Sequence, residues 1–249
     1  MIFTRFLQTR PRLDLALSAL DKKRLRLPVL SLADYFPDFS EVPVSFYEVP
    51  AGSWSSPVAD VLMLAKIVGC TKPRKLLEVG SFRGYTALTL ARHMPADASL
   101  VTVDRDPQHG EAYAGTEFAA RIERRVTPVK PDAFTPGETG SYDFIFLDAG
   151  HKFAEVKSDT EILLPLLSPS GFFLWHDYAN WGRFNGYNGV PEYLHELSAT
   201  RKIVKLDGSD VAAYSPQWDT REGVERLAEL LRGNSGRPGT DAWVENSLR

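Results

Sequence analysis

Short apolar runs alternate along this chain with stretches in which apolar residues recur every three or four positions. Runs at 76–79, 100–103, 126–129, Tyr142–Leu147, 172–175, 203–206 and 211–214 have strand length, and four of them are followed directly by Gly80, Asp104, Asp148 or Asp207. Between them lie helical patterns. One begins at Ser55 or Ser56, with Pro57 in its first turn, and carries Val58, Val61, Leu62, Ala65 and Val68 up to Gly69. Others are expected over Tyr85–His93, over 107–122 with Tyr113, Phe118 and Ala119 inward, and from Val156 through Thr160, Leu163 and Leu164 to Leu167. Pro169-Ser170-Gly171 reads as a turn, Asp207-Gly208 as the bend of a hairpin, and 191 onward and 224–231 as the last helices. Strands each followed by a helix predict an α/β, Rossmann-like, doubly wound and mostly parallel seven-stranded sheet with helices on both faces.

The ends of the chain depart from this pattern. Residues 1–54 hold a short helical stretch at 13–20, a basic run at 22–26 and prolines at 28, 37, 43 and 50, so they are expected to form an arm or lid. Residues 55–232 are expected to form the main domain, and the Gly, Ser and Pro content that follows predicts a flexible tail over 233–249.

Composition narrows the partners. A 43% hydrophobic, 24% charged chain of 249 residues is ordinary for a globular protein, and a formal net charge of -3 gives no general reason to bind nucleic acid. Arg5, Arg10 and Arg12 interrupt the N-terminal apolar residues, and no run has membrane-spanning length. A cytoplasmic protein without a membrane partner is expected. Cys70 is the only cysteine, which excludes an internal disulfide and a clustered thiolate metal site.

The chemistry gathers at strand ends. After the 76–79 run, Gly80 and Gly84 break the backbone before the helix opening at Tyr85, which is the arrangement that lets backbone approach a ligand at a sheet edge. The spacing is G-x-x-x-G, with Phe82 where a dinucleotide fingerprint has its middle glycine. Glu78 would repel phosphate but accept from an ammonium or hydroxyl group. The turn therefore suits a cationic, phosphate-free nucleoside better than a dinucleotide, unless it is only a connector. Asp104, with Arg105 beside it, ends the next strand roughly twenty residues on, where an acid can accept both ribose hydroxyls; a surface or capping role is the alternative. Asp132, followed by Ala133, reads equally as an adenine contact or as a turn cap.

A second group follows. Asp148 ends the 142–147 strand and His176-Asp177 ends the next, and two carboxylates with an imidazole suit a divalent cation. Mg²⁺ leads, while a histidine ligand shifts preference toward Mn²⁺, Fe²⁺ or Zn²⁺; in the other reading His176 is a packed histidine and only the acids matter. His151, three residues past Asp148, can serve as a proton acceptor at neutral pH or cap the helix that follows, and Lys152 is a second candidate base. Beyond Asp177, Tyr178, Trp181, Phe184 and Tyr187 read as an acceptor wall or as a linking loop.

LLEVGSFRGYTALTLA, VTVDRDP, YDFIFLDAGHKF and PSGFFLWHDY together resemble the class I S-adenosylmethionine-dependent methyltransferases over about residues 55–215. More narrowly they resemble the metal-dependent small-molecule O-methyltransferases of the catechol and caffeoyl-CoA type, and the macrocin and cephalosporin-hydroxylase-like branch. The resemblance implies that Glu78, Gly80 and Ser81 contact the methionine part of S-adenosylmethionine, and that Gly84 and Tyr85 of the same turn also belong to the cofactor site. It places Asp104 at the ribose and Asp132 with Ala133 at the adenine, with Arg105 also at the cofactor. Asp148 falls at the cofactor and, with His176 and Asp177, on the metal positions, and His151 falls where catechol enzymes have a catalytic lysine. His176 stands where many relatives have an acid, and Gly150 replaces an acid used by some sugar-modifying relatives. The implied reaction moves a methyl group to a hydroxyl of a small acceptor, a phenol or a natural-product sugar, in an enzyme that can pair as a homodimer through its arm. The rival readings are a hydroxylase-like or repurposed metal protein on the same scaffold, and a non-catalytic nucleoside-binding subunit.

Overall fold

The structure, a computed structural model, describes residues 25–46, 55–179, 188–233, 240 and 244. In chain order its elements are β1 (Val29–Leu30), α1 (Leu32–Tyr35), α2 (Val58–Thr71), β2 (Lys75–Val79), α3 (Tyr85–His93), β3 (Ser99–Asp104), β4 (Ile122–Val126), β5 (Tyr142–Leu147), α4 (Phe153–Leu163), β6 (Leu167–Trp175), α5 (Val190–Leu197), β7 (Val204–Leu206), β8 (Ala212–Tyr214) and α6 (Arg221–Arg232). Among the described residues eight strands, mostly parallel and interleaved with helices, give the expected α/β Rossmann-like class, with one strand more than the seven expected. The chain divides into two units, residues 36–149 with 161–174, and residues 1–35 with 150–160 and 175–249. The expected helix at 13–20, the aromatic residues Trp181, Phe184 and Tyr187, and most of the predicted tail lie outside the described residues.

In the first unit the strands follow the order β6-β5-β2-β3-β4. β2 runs parallel to β3 and β5, with Leu77 opposite Val101 and Ile145, and β3 runs parallel to β4. Leu76, Leu77, Leu100, Phe144, Ile145 and Phe146 are all buried, because central parallel strands are covered on both faces and need near-continuous apolar sequence. Charged Glu123, Arg124 and Arg125 instead make β4 an edge strand. That strand was expected at 126–129; its charged sequence hid it from an apolar-run reading.

Three further expectations are corrected here. No α-helix spans 107–122. The segment has two short 3-10 turns, Glu111–Tyr113 and Ala119–Arg121, because Gly110 at φ +95° and Gly115 at φ +77° interrupt any helical run. β6 starts before Pro169-Ser170-Gly171 and continues through it; a Cβ at Gly171 would lie 3.0 Å from the Tyr142 carbonyl oxygen, so the glycine allows close approach of β5. α2 passes Gly69 and ends at Lys72, whose φ of +50° turns the chain, while a Cβ at Gly69 would stand 2.3 Å from Val42 Cγ1. That glycine serves packing rather than termination.

The same unit contains a buried ionic knot. Glu138 accepts from the Thr135 N–H at 2.8 Å, Arg125 Nη1 at 2.9 Å and the Tyr142 hydroxyl at 2.5 Å. Burial alone would raise its carboxyl, but these three donors hold it down at about 2. Glu138→Ala leaves the Tyr142 hydroxyl without its acceptor and Arg125 with only Glu123 and the Ala133 carbonyl, and a fall in Tm of roughly 5–10 °C is expected by calorimetry. Sign follows from a depressed acid: its stabilisation is present above the ordinary glutamate range and is lost as pH falls toward 2, so the gap between wild type and variant closes in acid.

In the second unit β1 pairs parallel with β7, Val29 opposite Lys205, and β7 with β8 antiparallel, the expected hairpin. Part of the expected arm is therefore sheet: Leu30 is buried, and Tyr35 receives the Trp218 indole N–H at 3.0 Å. α6 begins at Thr220, whose hydroxyl accepts from the Gly223 N–H at 3.0 Å.

Candidate active site

The glycine turn sits at the carboxyl end of β2. Gly80 has φ +100°, and a Cβ there would be 1.8 Å from the Asp148 carbonyl oxygen, so only glycine lets the turn close against β5. The Gly84 N–H donates to the Ser81 carbonyl at 2.7 Å, and Gly84, at φ +86°, leads into α3 and Tyr85. The N-cap residue of α3, Gly84, makes no side-chain cap hydrogen bond.

Glu78 lies fully buried beneath this turn. Thr102 donates to its Oε2 at 2.5 Å, and because a hydroxyl has one proton, Ser81 must donate to Thr102 across their 2.5 Å contact. Oε1 accepts no hydrogen bond. Burial raises the Glu78 carboxyl to about 8; the Thr102 hydrogen bond opposes this, the charges of Asp148 and Asp104 add to it, and the nearby Ala87 amide draws it down. Its Oε1 is thus a buried acceptor that a cationic or hydrogen-bond-donating ligand would satisfy.

Asp104, at the end of β3, accepts from the Asp106 N–H at 2.9 Å through Oδ1, and from the Phe82 N–H at 3.0 Å and His109 Nδ1 at 2.9 Å through Oδ2. Burial pushes its carboxyl up, but Asp106, His109 and Phe82 outweigh it and bring it below the usual range. Arg105 is exposed. Asp132 is also exposed and pairs with Lys130 at 3.1 Å, while the Ala133 N–H donates to the Lys130 carbonyl at 2.9 Å in a 3-10 turn. Asp148 belongs to the same unit: its N–H donates to the Val79 carbonyl at 2.8 Å, and its Oδ2 accepts from the Ser56 hydroxyl at 3.0 Å.

The second unit brings His151 to Asp177, with Nε2 2.5 Å from Oδ2. His176 is buried, its Nδ1 3.4 Å from Asp177 Oδ1. Asp177 has φ +60°, uncommon outside glycine, and Asn188 supports it: the side-chain amide donates to the Asp177 carbonyl at 2.7 Å while Asn188 Oδ1 accepts from the Val190 N–H at 2.9 Å. Next to it, the Gly189 N–H donates to the His151 carbonyl at 2.7 Å. One short segment thus holds the backbone at both partners of the pair. Lys152 points elsewhere, exposed and 3.6 Å from Glu155. Tyr178 is fully buried, its hydroxyl 2.9 Å from His195 Nε2 and accepting from the Leu27 N–H at 3.0 Å; it is a core residue, and the acceptor-wall expectation is corrected at this position.

Thr102, His109 and the support that Asn188 gives Asp177 are not visible in the sequence. Thr102 is one position among apolar strand residues, and the other two act across gaps in sequence that only the fold closes.

Residues 77–178 match the family described as Methyltransferase domain. The chain is 30% identical over 181 residues to caffeoyl-CoA O-methyltransferase of Stellaria longipes, covering 68% of this chain and 73% of that one. The chain belongs to the class I S-adenosylmethionine-dependent O-methyltransferases. A caffeoyl-CoA O-methyltransferase of Populus kitakamiensis is 25% identical over 189 residues, 71% of this methyltransferase and 78% of its own length. An O-methyltransferase of Streptomyces achromogenes involved in tomaymycin synthesis shares the fold with a TM-score of 0.54 at 21% identity, covering 73% of this methyltransferase and 95% of that chain. Among the described residues, no helix of the methyltransferase is long and apolar enough to cross a membrane.

Proposed function

We propose that this methyltransferase acts on a hydroxyl oxygen of a small acceptor, with His151 as proton acceptor and Asp177 as its orienting partner. The 2.5 Å contact between His151 Nε2 and Asp177 Oδ2 carries the reading. A carboxylate at one ring nitrogen fixes the proton there and leaves the other nitrogen basic, the logic of a hydrogen-bonded base in acyl-transfer enzymes. The caffeoyl-CoA name of the relatives supports a phenolic acceptor; a natural-product sugar is the other member of the class.

At the glycine turn, Glu78 Oε1 and the N-terminus of α3 receive the methionine part of S-adenosylmethionine, with Gly80, Ser81, Gly84 and Tyr85 lining its approach, and Asp104, flanked by Arg105, takes the ribose. Asp132 and Ala133 are assigned to the adenine. Bound there, the cofactor supplies an electrophilic methyl group, and the protein's task is to align the acceptor oxygen and remove its proton. Asp148, at the carboxyl end of β5, and His176 and Asp177, at that of β6, are assigned to a divalent cation, two carboxylates and an imidazole being donors that suit Mg²⁺ or, with histidine included, Mn²⁺, Fe²⁺ or Zn²⁺. A divalent cation there would make an acceptor hydroxyl more acidic. Lys152, committed to Glu155, is the lesser candidate base. A cytoplasmic location and a homodimer formed through residues 1–54 complete the proposal.

Transfer of labelled methyl to catechol and caffeoyl acceptors tests it. His151→Ala and Asp177→Asn are each expected to lower kcat by roughly 100-fold or more, with cofactor affinity kept within about threefold. Chelator is expected to cut the wild-type rate about tenfold or more, and Mg²⁺ or Mn²⁺ to restore it. Full activity in His151→Ala would overturn the assignment of the base, and full activity in chelator that of the metal.

A further inference from the structure

The geometry at Asp104 departs from the expectation that this acid accepts both ribose hydroxyls. A carboxylate has about four acceptor positions, and Asp104 has three hydrogen bonds already, from Asp106, Phe82 and His109. About one position is left, on the Oδ1 side. Two donors crowd Oδ2, and both belong to one stitched segment. The Gly110 N–H donates to the Phe82 carbonyl at 2.6 Å, the Ala112 N–H to the Arg83 carbonyl at 2.9 Å, and Arg83 Nε to Glu111 at 2.9 Å. The His109 ring meets the Phe82 ring edge-on at 5.3 Å between centroids, and Phe82 is held at φ +41°. His109 is thus built into the glycine turn and bonded to the acid that ends the neighbouring strand.

We propose that His109 is a positioning residue for the cofactor ribose: by occupying Oδ2 it fixes the plane of the Asp104 carboxylate and leaves Oδ1 for a single ribose hydroxyl. This rests on the assignment of Asp104 to the ribose. His109 acts through Asp104 and does not touch the reacting atoms. The cofactor site thereby reads the two hydroxyls unequally.

Calorimetric titration of S-adenosylhomocysteine into wild type, His109→Ala, Asp104→Ala and the double variant tests the coupling. His109→Ala is expected to raise Kd about tenfold in the wild-type background and less than about twofold when Asp104 is already alanine. His109→Asn, which keeps a donor, is expected to recover most of the loss. On the wild-type enzyme, 2′-deoxy and 3′-deoxy S-adenosylhomocysteine provide a second arm that needs no variant: one is expected to lose about tenfold or more in affinity and the other less than about threefold. Additive effects of the two substitutions, or equal penalties for the two deoxy ligands, would overturn the role of His109. An unchanged Kd in Asp104→Ala would instead overturn the ribose assignment, and the inference with it.

Discussion

Gly80→Ala should abolish measurable cofactor binding and leave the protein strongly destabilised. The added Cβ would stand 1.8 Å from the Asp148 carbonyl oxygen, backbone that cannot swing aside, at a φ of +100° that L residues rarely adopt. Relief requires the turn to lift from the end of β5 or β2 to separate from it. The strand contact is held by the hydrogen bond from the Asp148 N–H to the Val79 carbonyl and by the register of β2 on β5. A cost of several kcal/mol is expected, appearing as a Tm lower by roughly 10 °C or more, or as insoluble protein. In any soluble fraction, affinity for S-adenosylhomocysteine should be weaker by about 100-fold or more. A variant that folds and binds like wild type would show that the turn does not shape the cofactor site.

Glu78→Gln should have the opposite effect on the stability of the ligand-free protein, and the effect should depend on pH. The Glu78 carboxyl is raised from 4.5 to about 8, chiefly by burial. Between those values the folded chain holds a proton that the unfolded chain has released, so stability falls as pH rises through this window and levels off above it. Glutamine removes that slope. The variant should therefore unfold at higher temperature than wild type near pH 8, with the difference closing toward pH 4.5, and the shift should amount to several degrees. Binding of the cationic cofactor favours the carboxylate, so it should release up to about one proton near pH 7, read as a dependence of calorimetric enthalpy on buffer ionisation. Glutamine should lose both the proton release and, by roughly tenfold or more, the affinity. A wild type that shows no proton release, with a Gln variant that binds equally well, would remove Glu78 from the cofactor site.

The central strands were legible because parallel strands covered on both faces must be apolar throughout. Tyr142–Leu147 was read to the residue for that reason, and β2 and β3 to within one position at each end. β4 was misplaced because an edge strand tolerates Glu123, Arg124 and Arg125, and periodicity cannot tell such a strand from a polar loop. Val29–Leu30 is too short to signal anything alone; its partner, β7, lies far along the chain. The acids followed the same logic. Glu78, Asp104, Asp148 and Asp177 stand out in the sequence because strand ends are where an α/β sheet gathers chemistry. Which histidine meets Asp177 was not readable, since His151 reaches it across 26 positions while His176 is its neighbour in sequence. Nor was the support from Asn188, which depends on the left-handed backbone at Asp177.

Calorimetric titration of S-adenosylmethionine into wild type and Asp104→Ala, each with Mg²⁺ and then with chelator, tests the cofactor site most directly. Micromolar binding by wild type, weakened about 100-fold or more in the variant, is the predicted result. Equal affinity in the two proteins, or no binding by wild type in either condition, would contradict it.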